Sequence, residues 1–149
     1  MKLTVEVNNL SQSPVKNSFF KKIAGGVLSS RDFKFLHKKN ISVSVALVNG
    51  KEIKKLNRIY RRQNSVTDVL SFSEYQSQRE LMETGDKDVF LGEVILCYNY
   101  IKERASKGGN IKKELARATS HGLLHLLGFR HGKKMFKIQD NTAEKLIYE

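Results

Sequence analysis

The chain has 149 residues, 40% of them apolar and 28% charged; this excludes a disordered or fibrous protein and leaves length for a real core without disulfide staples. Twenty-seven Lys and Arg against fifteen Asp and Glu give a net charge of +12, which points to a polyanionic partner. Nucleic acid ranks ahead of a membrane, because no basic amphipathic helix with aromatic anchors, apolar run near eighteen residues or signal-peptide core is present.

Leu3, Val5 and Val7 alternate with polar residues and predict a first strand. From Val15 to Leu28 the apolar positions Val15, Phe19, Phe20, Ile23, Ala24 and Val27 recur at helical spacing, with Lys21 and Lys22 outside. Ile41 to Val48 alternates again and closes on Asn49-Gly50, a second strand. Helical spacing returns from Glu52 to Tyr60 through Ile53 and Leu56, and Val66 to Phe72 reads as a short strand. Ser73 to Lys87 is polar, lacks a sustained period and reads as a long loop.

Val89 to Cys97 is almost continuously apolar and predicts a buried central strand. Cys97, the single cysteine, reads as an inert buried thiol in a reducing cytoplasm. A short basic helix runs to about Lys107, and Gly108-Gly109-Asn110 breaks it. Lys102, Arg104, Lys107, Lys112 and Lys113 read as a solvated face. Helices are expected from Ile111 to Leu127 and from Lys133 to Tyr148, the last through Met135, Ile138, Leu146 and Ile147. The order β-α-β-α-β-β-α-α-α predicts one α+β domain over residues 1–149, with a single sheet under its helices.

Three of the four histidines fall in His121-Gly-Leu-Leu-His125-Leu-Leu-Gly128-Phe-Arg-His131. Two histidines four apart on a helix share a face. Gly128 supplies a left-handed helix stop, so that His131 can return to the same point. Three converging imidazoles are the ligand set of an open zinc site. The other reading is two ordinary helix histidines satisfied by carbonyls, plus a loop histidine.

This segment, taken with Leu56-Asn57-Arg-Ile-Tyr60-Arg61-Arg-Gln-Asn-Ser-Val66-Thr67-Asp68-Val-Leu-Ser71-Phe72, resembles the YbeY family of bacterial endoribonucleases and ribosomal-RNA maturation factors. Leu91-Gly92-Glu93-Val94-Ile95 is similar to the family's Leu-Gly-Asp-Ile segment. The resemblance implies an α+β fold with a mixed four-stranded sheet and a zincin-like His-bearing helix. It implies one zinc ion per chain on His121, His125 and His131, and a catalytic or RNA-contacting role for Arg61, with Arg58 and Arg62 flanking it. Without it, Arg61 reads as a cation at a helix end, where the dipole favours one.

The implied activity is zinc-dependent, single-strand-specific endoribonucleolysis in small-subunit rRNA 3′-end maturation and ribosome quality control, in the cytoplasm. The implied partners are rRNA and the small ribosomal subunit, with ribosomal proteins or an assembly GTPase beyond them, and no membrane. The alternative is a non-catalytic rRNA or ribosome assembly factor with a structural metal.

Three positions depart from the family pattern. Arg130 stands where the family has Asp, and in extended chain it is expected to face away from the metal. Gly132-Lys-Lys-Met-Phe-Lys replaces an acidic stretch and makes the mouth of the site more basic, and Val66 replaces a proline. The histidine spacing is shared with metzincin proteases, but their general-base Glu is Gly122 here, so peptide hydrolysis lacks its base. For RNA cleavage, metal-activated water, a substrate 2′-hydroxyl and Asp68 stay open as bases.

Overall fold

The computed structural model describes residues 1–148, with side chains as far as Leu146; the expected inward role of Ile147 lies outside the described residues. Four strands form one mixed sheet: β1 (Lys2–Asn9), β2 (Asn40–Leu47), β3 (Val69–Ser73) and β4 (Asp88–Leu96), in spatial order β1-β2-β4-β3. β1, β2 and β4 run parallel, and β3 is an antiparallel edge strand beside β4. The helices are α1 (Asn17–Leu28), α2 (Gly50–Arg61), α3 (Gln78–Glu83), α4 (Tyr98–Ala105), α5 (Ile111–Leu126) and α6 (Lys133–Tyr148). The expected α+β class and mixed four-stranded sheet are what the chain adopts.

Alternation along the strands sends two apolar sets to opposite faces of the sheet. Ile41, Val43, Val45 and Leu47 of β2 join Val89, Leu91, Val94 and Leu96 of β4 in the main core, with α1 and α5 over them. Ala46, Val48, Leu70, Ile95 and Cys97 face the other way and pack with Ile53 of α2. The almost continuous apolar run of β4 has two causes. The strand is central and covered on both faces, and its pairing with β2 slips between Ser42 and Ser44, which shifts the in–out phase. Cys97 is buried, as expected, and burial pushes its thiol pKa up.

Ser73 to Lys87 is not all loop. Ser73 ends β3, and Ser77 caps α3 by accepting the Glu80 N–H at 3.1 Å. Only Leu81 of this helix is buried, so a single apolar contact replaces the periodicity that would announce a helix. A 3-10 turn at Arg31–Leu36, bringing Phe33 and Leu36 into the core, likewise has no sequence period. No helix among the described residues is long and apolar enough to cross a membrane.

α5 is the element that seats the site. Asn110 caps it by accepting the Lys113 N–H at 3.1 Å. Leu115, Ala116, Leu123, Leu124 and Leu126 are buried along it. At Gly122 it lies tight against the sheet, where a Cβ would stand 2.7 Å from Val94 Cγ1 and 3.1 Å from Val69 Cγ2. Gly122→Val would drive methyl groups into both valines, and should cost about 1–3 kcal/mol as a core overpacking. A lower urea midpoint at unchanged slope is the expected reading; a midpoint equal to the native chain's would contradict this packing.

Candidate metal centre

His121 and His125 stand one turn apart on α5, half-buried, and the helix then ends in a tight stop. The Gly128 N–H donates to the His125 carbonyl at 3.0 Å, and the Phe129 N–H to the Leu124 carbonyl at 2.9 Å. This is the paired bonding of a Schellman turn. Gly128 has φ +89°, and a Cβ there would meet the Gln78 backbone nitrogen at 2.5 Å, so glycine is required on both counts. The turn brings the exposed His131 back to the other two rings. The three Nε2 atoms lie 3.0 Å (His121–His125), 3.1 Å (His125–His131) and 3.2 Å (His121–His131) apart.

Two of the three imidazoles have a fixed tautomer. His125 Nδ1 is 2.9 Å from the Phe129 carbonyl oxygen, which can only accept, so Nδ1 carries the proton. His121 Nδ1 lies 2.9 Å from Gln139 Oε1 on α6, with the same consequence. The Nε2 lone pairs of both rings therefore point into the cluster. A proton on His131 Nε2 can satisfy only part of that convergence, whereas a cation satisfies all three nitrogens. Ligands of a tetrahedral ion at ~2.0–2.1 Å are separated by roughly 3.3 Å, close to the triangle found here. The donor set therefore fits a divalent metal ion, and among the described residues no fourth His, Cys, Asp or Glu joins it. Burial, more than any other cause, holds His125 below the ordinary imidazole value; the His121, His131 and Arg61 charges add to this, and the Phe129 carbonyl opposes it.

The cleft in front of the triad follows the open edge of β3 and is lined by Arg61, Thr67, Asp68, Val69, Ser71 and Ser73 with the three histidines. Arg61 ends α2 and lines the same cleft. Its Nη2 donates to the Ser71 carbonyl at 2.6 Å, and its guanidinium lies 5.0 Å from the Phe72 ring centre. Buried Asn57 shapes the approach: its side-chain N–H donates to the Ser65 carbonyl at 3.0 Å and its own carbonyl accepts from Gln63 at 3.2 Å. Ser71 Oγ donates to the Gly122 carbonyl at 3.1 Å and Ser73 Oγ to the His125 carbonyl at 3.3 Å, tying β3 to the helix that carries His121 and His125.

Asp68 lies in the cleft, but its Oδ2 is engaged by Arg104 at 3.1 Å. Arg104 thus belongs to the site's surroundings and not to a purely solvated face. Gly122 points into the sheet, so the position where a metzincin carries its base does not face the cleft. Arg130 is exposed and is not among the residues that line the cleft. Of the lysines that replace an acidic stretch, Lys134 bonds Asp32 at 2.9 Å and ties the start of α6 to the 3-10 turn.

The histidine segment and the Arg61–Ser71 segment, both of which carry the resemblance, line this one cleft. The family model for endoribonuclease YbeY matches residues 6–147. The chain belongs to the YbeY family. It is 32% identical over 142 residues to the endoribonuclease YbeY of Sulfurihydrogenibium sp. (strain YO3AOP1), covering 91% of this chain and 86% of that one. It is 36% identical to the Staphylococcus carnosus (strain TM300) protein of the same name, over 72% of this chain and 70% of its relative. A Thermotoga maritima protein solved in solution shares the fold, with a TM-score of 0.61 at 24% identity over 96% of this chain and 89% of its own.

Within this YbeY-family site, the residues that sequence reasoning missed are the supporting ones. Ser71 and Ser73 alternate with Leu70 and Phe72, so their shared face was readable once β3 was placed. Gln139 carried no signal, because only the packing of α6 on α5 brings it to His121. Gln139→Ala should weaken divalent-metal affinity by about 10–100-fold with the fold retained, read by competition with a chromogenic chelator; native affinity would remove Gln139 from this role. The lowered His125 pKa also has a sign. Below the ordinary value of 6.5, unfolded His125 takes up a proton that the folded side chain resists, so metal-free stability should fall as pH drops through that region. His125→Asn should flatten that fall in acid denaturation; an unchanged slope would contradict the assignment.

Proposed function

We propose that this chain is a zinc-dependent endoribonuclease that cuts single-stranded RNA. The carrying observation is the inward convergence of three imidazole nitrogens in a cleft that Arg61 also lines, in a family whose named relatives are endoribonucleases. His121, His125 and His131 would hold the ion, which when bound supplies Lewis acidity toward a phosphodiester and lowers the pKa of a water. The cluster's three-donor character supports a catalytic metal over a structural one, since structural zinc sites are closed by four protein ligands.

Arg61 supplies the second half of the chemistry. One N–H is spent on the Ser71 carbonyl and another on the Tyr60 carbonyl at 3.3 Å, and the guanidinium lies over Phe72, so it is oriented before substrate arrives. Its remaining donors suit phosphoryl oxygens on which charge builds in the transition state. Asp68 is a weak choice of base while Arg104 holds it. The nucleophile would be a substrate 2′-hydroxyl or a water, and a hydroxide on the bound ion would be the group able to accept its proton. The net charge of +12 favours a polyanionic substrate. The substrate we assign is small-subunit rRNA at its 3′ end, in cytoplasmic maturation and quality control, with the small subunit, ribosomal proteins or an assembly GTPase as partners. These assignments rest on family membership.

Single-turnover cleavage of a small-subunit rRNA 3′ fragment tests the reading. His125→Ala should abolish cleavage, and Arg61→Ala should slow it by about 10²–10³-fold, the scale of losing one preorganised charge-stabilising donor. Arg61→Lys should recover only part of this, because a point charge does not reproduce the planar fork. Cleavage at the native rate by both alanine variants would assign the nuclease to a contaminant.

A further inference from the structure

Phe136 is 42% exposed, yet it is not an isolated surface aromatic. Its ring lies nearly parallel to His131 (17°, centroids 5.9 Å apart) and close to parallel to His121 (28°, 6.4 Å). It therefore carries the aromatic surface of His121 and His131 outward to solvent at the rim of the triad. Lys133, one turn earlier on α6, shares its helix face and has no ion-pair partner among the described residues. The first turn of α6 carries no carboxylate, so nothing there repels a phosphate.

From this juxtaposition we infer that Phe136 is a stacking platform for a nucleobase next to the scissile phosphate, with Lys133 contacting the adjoining backbone. The inference rests on the RNA-cleaving reading above and deepens it by naming the residue that prefers an unpaired base. A base inside a duplex offers no free face, whereas a splayed single-stranded base does. Stacking of this kind tolerates any base, so Phe136 would confer strand-state preference without sequence preference.

The experiment compares Phe136→Leu, Phe136→Ala and Phe136→Trp in cleavage of one single-stranded oligoribonucleotide and of copies carrying an abasic spacer at each position around the cut. Leu and Ala should raise KM by about five- to a hundredfold, with the loss falling on KM and not on kcat, and with metal content unchanged. Trp should keep the native KM. Since the chain has no tryptophan, its fluorescence should be quenched by the intact oligonucleotide but not by the copy abasic at the stacked position. The same spacer should weaken binding to the native chain and leave Phe136→Ala unaffected. A native chain that cleaves RNA, with Phe136→Leu matching its KM and no spacer mattering, overturns the platform alone. A metal-loaded native chain that cleaves no RNA overturns the reading beneath it. A Leu variant that loses metal would make Phe136 a support for His131 and also overturn the platform.

Discussion

Imidazole lone pairs held within about 3 Å of each other repel unless something positive lies among them. The last two helices hold the rings in that arrangement through the contacts behind them. The tautomers of His121 and His125 are set from behind, by an amide on α6 and by a carbonyl in the helix-ending turn. Neither ring can rotate its lone pair away without giving up that bond. Stabilisation that folding would lose to repulsion is recovered when a cation binds, so metal affinity and local order are two sides of one equilibrium.

The scaffold serves the same end. Gly122 lets α5 lie against Val94 and Val69, and this sets the height of the flanking histidines above the β3 edge. Ser71 and Ser73 then use side-chain hydroxyls to lock that edge to helix carbonyls, while the Ser71 backbone carbonyl, unused by β4, holds Arg61 from the other side. A single edge strand thereby holds both the histidine-bearing helix and Arg61 in place. A long free edge is ordinarily a liability for strand pairing, and here it is short and faces a charged wall. Gly122, which stands where proteases with the same histidine spacing carry their base, is thus a packing device in this chain.

Much of this was legible in the residues. Alternation marks β1 and β2, helical spacing marks α1 and α2, and the histidine segment announces both its helix and its stop, because Gly128 is the one residue type suited to that φ. The elements that escaped notice lack periodicity for physical reasons: α3 buries only Leu81, and the 3-10 turn contributes Phe33 and Leu36 from a run too short to show a period. Gln139 and Phe136 are legible only in three dimensions, since their significance comes from α6 packing across α5. The β4 phase slip likewise depends on its pairing with β2. Arg61 falls between these cases: its place at a helix end is plain in the sequence, but only the family pattern singles it out from Arg58 and Arg62.

The central claim is that three imidazoles of one chain share one ion. Zinc-edge X-ray absorption on untagged protein loaded with one equivalent of zinc measures that directly. Three nitrogen ligands at ~2.0–2.1 Å with imidazole outer-shell scattering, plus one light ligand, is the predicted spectrum. A folded chain whose zinc shows fewer than three imidazoles, or which takes up no zinc at all, would contradict the account.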